Sequence, residues 1–172
     1  AMLLVSEVGL QKLGLSPEDA VEWRGWGHST ASLYEDGDPL ALETTAAAAQ
    51  AAYKMADVGP STVGVAEVHD CFTLTEILMY EALGFAKKGE GAQLLREGAT
   101  NIDGRIPVNT GGGLVGFGHP VGATGVKQMV EIWRQMKGRC GEYQVQNRPA
   151  WGLTANMGGD DKTAVVGLFE NV

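Results

Sequence analysis

Apolar and polar positions alternate along the chain with two different spacings, and this pattern predicts an α/β fold. Runs with strand character recur, and segments with helical spacing separate most of them. The pattern predicts a mixed, mostly parallel central sheet with helices on both faces. The last two strands are expected to form an antiparallel hairpin. The predicted strands are AMLLVS, AVEWRGWGHS, VGVAEV, RIPVN, AWGLTAN and KTAVVGLF.

Two of the predicted helices have distinctive surfaces. Alanine dominates the helix expected between Leu40 and Ala56, and its small side chains favour close packing against another element. The helix after His119 carries an apolar stripe with helical spacing, which predicts one buried face. This stripe consists of Val126, Met129, Val130, Trp133 and Met136. The segment YEDGDP, before the alanine-rich helix, is predicted to be a loop.

Composition limits the possible classes of function. The 172 residues carry a net charge of −8, which argues against nonspecific nucleic-acid binding because phosphate contacts need Lys and Arg. No apolar run approaches the roughly 20 residues of a membrane-spanning helix. The first residues are too short for a secretory signal, so a cytoplasmic location is expected. Cys71 and Cys140 are expected to be free thiols.

Three predicted loops carry the candidate chemistry. His69 and Cys71 follow one strand directly, His119 lies between a strand and a helix, and NMGGDD follows the strand that ends near Asn156. Carboxyl ends of parallel strands share one edge of a sheet, where ligands bind. Cys71 and His119 are therefore expected to face one cleft. Asp70, between His69 and Cys71, is expected to order the loop.

The segment GFGHPVGATG suggests a specific kind of site. Pro120 is a favoured first helical residue, so His119 is expected near the positive end of a helix, which disfavours an imidazolium. A neutral imidazole and the backbone N–H groups of a glycine-rich loop can both donate hydrogen bonds to a carbonyl oxygen. The loop therefore predicts an oxyanion-binding site. A thiol near an imidazole can act there as a nucleophile or exchange protons.

The segments HDCF, NTGGGLVGFGHPVGATG and NMGGDD with AVVGLF resemble the C-terminal half of thiolases, most closely the sterol-carrier-protein type. The resemblance covers essentially the whole chain. It implies a thiolase C-terminal domain over residues 21–172, with residues 1–20 as the last strand and helix of a truncated N-terminal domain. It also implies an acyl-CoA acyltransferase that performs Claisen condensation or thiolytic cleavage of 3-ketoacyl-CoA. The coenzyme A thioester is then the substrate, and no metal or redox cofactor is needed.

The resemblance also assigns roles to residues. His119, in the Gly-His-Pro motif, is expected to help form an oxyanion hole and to support the nucleophilic cysteine. His69 is expected to hold the oxyanion directly or through water, and Cys71 to be the acid/base cysteine. The C-terminal loop TANMGGDD departs from the Cys-x-Gly pattern of most thiolases. Asn156 and Gly158 are therefore weaker candidates for oxyanion or loop support.

In thiolases the nucleophilic cysteine and much of the coenzyme A site belong to the N-terminal half. The resemblance therefore implies that this chain alone is inactive. Its expected partners are the acyl-CoA substrate, the missing N-terminal half and further copies in a homo-oligomeric full-length protein. Two alternatives remain open. One is a noncatalytic thiolase-like subunit or scaffold that pairs with a separate partner, and the other is a thiolase-fold aldolase.

Other motifs are weaker. GGGLVG satisfies the G-x-G-x-x-G pattern of dinucleotide sites, but Glu131 falls in a predicted helix instead of at the end of a second strand. The Cys and His spacings match no usual zinc-ligand pattern. His28 and Cys140 are expected to be structural or incidental.

Overall fold

The computed structural model describes residues 1–35 and 37–172, and Asp36 of the predicted YEDGDP loop lies outside the described residues. The helices within this part are α1 (Glu7–Lys12), α2 (Glu43–Ala56), α3 (Thr73–Ala82), α4 (Gly91–Arg96), α5 (Gly113–Phe117) and α6 (Thr124–Met136). The strands are β1 (Val21–Thr30), β2 (Val65–Val68), β3 (Trp151–Gly158) and β4 (Thr163–Asn171). None of the described helices is long and apolar enough to cross a lipid bilayer.

The strands form one mixed sheet in the order β1-β4-β3-β2. β2 and β3 are parallel, whereas β4 is antiparallel to both β3 and β1. The predicted α/β class and mixed sheet are confirmed, and so is the terminal hairpin. The expectation of a mostly parallel sheet is wrong. Among the neighbouring strands of this sheet, only β2 and β3 are parallel, and the long helical crossover between them is what parallel neighbours require.

Two of the predicted strands do not form. Residues 1–6 pair with no strand of the described chain, and they are exposed. A strand is stable only when a neighbour satisfies its backbone groups, so the apolar run AMLLVS alone is not enough. The segment RIPVN makes a single parallel bridge, between Val108 and Ala66.

Helices cover both faces of the sheet, as predicted. Ala66 and Leu168 belong to the larger core, which includes side chains of α2 and α3. Their chain neighbours Val65 and Phe169 belong to a second core with α6 residues. Because successive strand residues point to opposite faces, the two cores lie on opposite sides of the sheet.

The alanine-rich helix α2 packs closely on β1. A Cβ atom at Gly27 would lie 1.9 Å from the carbonyl oxygen of Ala48, and one at Gly25 would lie 2.5 Å from that of Ala52. Only glycine permits such an approach of strand and helix backbones. Ala48 and Ala52 are fully buried in this contact. The close packing expected from the small side chains of this helix is confirmed.

A residue distant in the sequence caps the start of α2. The N-cap residue, Leu42, has no side-chain hydrogen bond to the helix. Instead, the carboxylate of Asp161 in the β3–β4 hairpin accepts hydrogen bonds from the backbone N–H groups of Thr44 and Thr45, at 2.8 and 3.0 Å. The Thr45 hydroxyl donates a third, at 2.5 Å. The hairpin is thereby fastened to the helix.

The buried face of α6 differs from the predicted one. Val126 is exposed, Met129, Val130 and Trp133 are half-buried, and only Met136 of the predicted stripe is buried. The face that meets the sheet is largely polar. Its buried members are Thr124, Gln128, Glu131, Ile132, Gln135 and Met136. Polar side chains are tolerated there because no buried side-chain nitrogen or oxygen among the described residues lacks a hydrogen-bond partner.

Candidate active site

The parallel pairing of β2 and β3 brings His69 to Asn156. Val68, the last residue of β2, pairs with Ala155 of β3. The next residues along the two strands are His69 and Asn156, and the His69 Nδ1 atom lies 2.6 Å from the Asn156 Oδ1 atom. Residues far apart in the sequence therefore meet at this end of the sheet, as the strand pattern predicted.

His119, in the glycine-rich loop before α6, lies against His69. The two imidazole ring centroids are 5.0 Å apart, and the rings are perpendicular. The His119 Nδ1 atom lies 2.7 Å from the hydroxyl of Thr124, the first residue of α6. The prediction that Pro120 starts this helix is wrong, because a turn separates Pro120 from Thr124. Its carbonyl accepts hydrogen bonds from the N–H groups of Ala123 and Thr124.

Asp70 fastens the two histidine-bearing loops together. Its carboxylate is buried and accepts a hydrogen bond of 2.6 Å from the backbone N–H of Leu114, in α5. Gly113 has a φ of +58°, and a Cβ atom there would lie 2.2 Å from the Asp70 Oδ2 atom. Glycine is therefore needed both for the backbone conformation and for the space. The role expected for Asp70, ordering the loop, fits this geometry.

Asn109 adds a second fastening that the sequence patterns did not indicate. Its Oδ1 atom accepts a hydrogen bond of 2.8 Å from the backbone N–H of Val68, directly before His69. Its Nδ2 atom donates to the Glu76 carboxylate at 3.1 Å. Burial raises the pKa of Glu76, against the hydrogen bonds from Tyr80 and Asn109 that lower it. Asn109 thus ties the end of β2 to α3 and to the glycine-rich loop.

A buried ion pair lies on the α6 side of the same sheet edge. The Lys127 Nζ atom is 2.8 Å from the Glu67 Oε2 atom, and both side chains are largely shielded from solvent. Burial raises the pKa of Glu67 to about 7, even though Lys127 acts in the opposite direction. The same Nζ atom lies 4.9 Å from the centre of the Phe117 ring. Lys127 therefore links β2 to the segment directly before His119.

The surroundings of His69 favour a neutral imidazole. Burial lowers the pKa of His69, and the nearby His119 lowers it further. The hydrogen bond with Asn156 and the Asp70 carboxylate act in the opposite direction but do not prevail. A pKa below the ordinary value of about 6.5 leaves the ring uncharged at neutral pH.

The remaining candidates are less closely connected. Cys71 is half-buried two residues after His69, and it forms no hydrogen bond within the described chain. Gly158 ends β3 and pairs with Thr163, so it belongs to the hairpin and not to the histidine pair. His28 is exposed on β1, 3.3 Å from the Thr163 hydroxyl. Cys140 follows the C-terminal end of α6, whereas His119 lies before the other end of that helix. Burial raises the pKa of the Cys140 thiol. The roles assigned to these residues stay predictions.

Residues 25–171 match the model of a family described as Thiolase C-terminal domain-like. This match covers most of the chain, and the chain therefore belongs to that family, as the sequence motifs predicted. The mixed α/β sheet is accordingly that of a thiolase C-terminal domain.

Named relatives agree with this assignment. The acetyl-CoA acetyltransferase of Methanothermobacter thermautotrophicus is 44% identical over 140 residues, which are 81% of this chain and 36% of that protein. Human sterol carrier protein 2 is 37% identical over 150 residues, which are 84% of this chain and 27% of that protein. The chain thus spans well under half the length of these curated relatives.

A solved structure shares the fold. The structure titled "Ltp2-ChsH2(DUF35) aldolase" superposes with a TM-score of 0.76 at 22% identity, over 88% of this chain and 40% of that chain. At this identity the likeness concerns the fold alone.

Proposed function

We propose that the chain is the C-terminal domain of a thiolase-like acyl-CoA acyltransferase, acting in Claisen condensation or in thiolytic cleavage of 3-ketoacyl-CoA. The observation that carries the proposal is the pair of histidines from separate loops, His69 and His119, with ring centroids 5.0 Å apart. The family match and the relative named acetyl-CoA acetyltransferase support it. The coenzyme A thioester is the substrate, and the nucleophilic cysteine belongs to the part of the protein outside this chain.

In this proposal each residue has a separate task in thiolysis. The outside cysteine thiolate attacks the keto carbon of 3-ketoacyl-CoA, and the His119 imidazole donates a hydrogen bond to the oxygen on which negative charge develops. The carbon–carbon bond then breaks, and the departing acetyl-CoA carbanion takes a proton from the Cys71 thiol. The Cys71 thiolate then takes the proton of the thiol of free coenzyme A, whose sulfur accepts the acyl group and releases the outside cysteine as its thiolate. Condensation is the reverse sequence.

Exposed apolar side chains beside both histidines fit a larger assembly. Phe72 follows Cys71 directly, and Phe117 and Val121 flank His119 on either side. All three are well exposed, Val121 to 84%. Apolar groups gathered around a candidate site are typical of a surface that binds a partner or an apolar ligand. Both the remaining half of a thiolase and an acyl chain satisfy that requirement.

The proposal is tested with a chimeric enzyme. In the chimera this chain replaces the matching 36% of the Methanothermobacter thermautotrophicus relative. We expect the chimera to catalyse thiolysis of acetoacetyl-CoA, whereas the chain alone shows only background thioester exchange. The measurement is release of acetyl-CoA, with gel filtration and circular dichroism on the same samples to establish folding.

Three outcomes decide between the alternatives. Turnover by the chimera supports the acyltransferase, and turnover by the chain alone contradicts its assignment as a domain that needs a nucleophile from elsewhere. Aldol cleavage of a β-hydroxyacyl-CoA without acyl transfer would support a thiolase-fold aldolase. A folded chimera that is inactive in both assays would support a noncatalytic subunit.

Replacement of Cys71 by serine in the chimera is expected to slow proton transfer but to leave the first acylation measurable. A thiol has an ordinary pKa of about 8.5 and a hydroxyl a far higher one, so serine is a poor acid or base at neutral pH. Mass spectrometry after incubation with acyl-CoA should show an acyl group outside this chain in both proteins. An acyl group on Cys71 itself would instead make Cys71 the nucleophile. Cys140→Ser, at the buried second thiol, is the matched control.

A further inference from the structure

A chain of hydrogen bonds between side chains runs from the backbone of β3 through α6 to His69. The Gln128 Nε2 atom lies 3.4 Å from the carbonyl oxygen of Ala155. The Gln128 Oε1 atom lies 2.8 Å from the Asn156 Nδ2 atom. The Asn156 Oδ1 atom in turn lies 2.6 Å from the His69 Nδ1 atom. Gln128 is completely buried and His69 is 6% exposed, so solvent has little access to these hydrogen bonds.

The Ala155 carbonyl, at one end of this series of hydrogen bonds, sets the direction of every bond in it. A backbone carbonyl can only accept a hydrogen bond, so Gln128 must turn its NH₂ group toward Ala155. Its Oε1 atom is then left to accept from the NH₂ group of Asn156. This orientation turns the Asn156 Oδ1 atom toward His69. Because that oxygen has no hydrogen to donate, the Nδ1 atom of His69 must carry the proton.

The reversed direction is unfavourable for a physical reason. Turning both amides over would place the Gln128 Oε1 atom against the Ala155 carbonyl, two acceptors with no hydrogen between them. Ala155 lies between two neighbouring strands, paired with Val68 and Val166, so its carbonyl is held in place. The Gln128 Oε1 atom would then be a buried acceptor without a donor, which is destabilising. The protein backbone therefore selects the protonated nitrogen of a histidine three contacts away.

His119 is held in a different way. Its Nδ1 atom meets the Thr124 hydroxyl, which also lies 3.3 Å from the Pro120 carbonyl. A hydroxyl can donate or accept, and Thr124 has one hydrogen for two acceptors. Rotation of that single hydroxyl allows His119 to carry its proton on either nitrogen. His69 is thus fixed in one form, whereas His119 is free to be a donor at Nε2.

We propose that Gln128 and Asn156 are positioning residues that hold His69 with its proton on Nδ1, so that its Nε2 atom is a hydrogen-bond acceptor and His119 supplies the donor. This inference deepens the proposed function and rests on it for its catalytic meaning, but the protonated nitrogen is a property of the chain itself. A neutral His69 of this form contacts an oxyanion through a bridging water, whose O–H it accepts, and not directly. Of the two routes left open by the sequence motifs, the hydrogen-bond direction selects the one through water.

The first test is nuclear magnetic resonance of the ¹⁵N-labelled chain. Long-range couplings from the ring nitrogens to the ring carbon-bound hydrogens show which nitrogen is protonated. The chain has three histidines, so single substitutions assign the signals. At about pH 8, above the ordinary histidine pKa of about 6.5, we expect His69 to show one form with the proton on Nδ1. A proton on Nε2 of His69 overturns the inference without any variant.

The second test breaks the relay, which is the series of hydrogen bonds from Ala155 through Gln128 and Asn156 to His69. In Gln128→Leu, Asn156 can turn over, so we expect the His69 signals to show both neutral forms while His119 is unchanged. The matched control is Gln135→Leu on the same helix. Gln135 is equally buried, but it binds Thr110, Tyr143 and Val145 and not the relay. The control should be destabilised and keep His69 with its proton on Nδ1. An unchanged His69 in folded Gln128→Leu would show that the relay does not select the form.

Asn156→Asp keeps the inference testable if the leucine variant does not fold. A carboxylate still accepts from Nδ1–H, so His69 should keep the same protonated nitrogen. The negative charge favours the imidazolium, so its pKa should rise relative to the unmodified chain. An Asn156→Asp protein with the proton on Nε2 would contradict the relay.

The catalytic consequence is measured in the chimeric enzyme. Gln128→Leu is expected to lower kcat by about 10- to 100-fold, the range found for outer partners that orient histidines in metal sites. KM should change little, because Gln128 is buried and cannot touch the substrate. If the chimera without substitutions is inactive, the result counts against the proposed function. The protonated nitrogen of His69 is still decided by magnetic resonance of the chain itself. A His69 with its proton on Nε2 in an active chimera would overturn the inference alone.

Discussion

Replacement of His119 by alanine in the chimeric enzyme is expected to lower kcat by about 10²- to 10³-fold, with little change in KM. The reason is that an oxyanion donor acts mainly on the transition state, and loss of one such donor has an effect of this size. Few substitutes are available, because in our inference Asn156 holds the neighbouring His69 as a hydrogen-bond acceptor. Steady-state thiolysis kinetics measure the effect.

Two controls separate this result from damage to the fold. His28→Ala removes an exposed imidazole on β1, at the edge of the sheet opposite to β2 and His69, and should leave kcat unchanged. His119→Gln retains an N–H donor and should recover part of the lost rate. If kcat is unchanged in His119→Ala, this histidine has no part in the mechanism. A loss that appears only in KM would instead indicate a role in ground-state binding.

The positions of the two histidines could be predicted from the sequence because strand ends are local features. His69 follows an apolar, β-branched run without a break, so its place at a strand end requires no tertiary information. The motif GHP precedes a segment with helical spacing, which places His119 before a helix. The parallel pairing of β2 and β3, a general property of α/β sheets, accounts for the contact of His69 with Asn156. It does not account for the contact with His119, because the segment before the glycine-rich loop makes a single bridge to β2, between Val108 and Ala66.

The polar partners of these histidines could not be predicted in the same way. Gln128 and Thr124 lie on the face of α6 that meets the sheet, but apolar spacing drew attention to Val126, Met129 and Val130 on another face. Hydrophobic spacing assumes that burial is apolar. Here the buried face is stabilised by paired hydrogen bonds, which depend on groups from distant segments. The regular spacing of Thr124, Gln128, Glu131 and Gln135 is the one signal in the sequence that could have indicated it.

Long-range partners also decided which strands formed. AMLLVS has the composition of a strand, yet no described strand lies beside it to complete a ladder. KTAVVGLF formed a strand because both neighbours, β3 and β1, are present. Composition thus identified segments able to form strands, whereas pairing determined which of them did so.

The cap of α2 is a further long-range contact, and it leads to the largest expected effect on stability. Asp161→Gly is expected to lower the free energy of unfolding by about 3–5 kcal/mol. It removes a buried carboxylate that accepts three hydrogen bonds, from two backbone N–H groups and one hydroxyl. Each buried donor left unpaired costs about 1–3 kcal/mol, whereas loss of an ordinary local N-cap costs about 1 kcal/mol. Urea denaturation followed by circular dichroism gives the free energies.

The neighbouring aspartate is the matched control for this substitution. Asp160 and Asp161 have φ angles of +56° and +61°, so glycine relieves similar backbone strain at both positions and adds similar freedom to the unfolded chain. Asp160 is exposed, and no hydrogen bond from its side chain is found within the described residues. Asp160→Gly should therefore change stability by no more than about 1 kcal/mol. Equal losses in the two variants would show that hairpin conformation, and not the cap on α2, accounts for the stability that Asp161 provides.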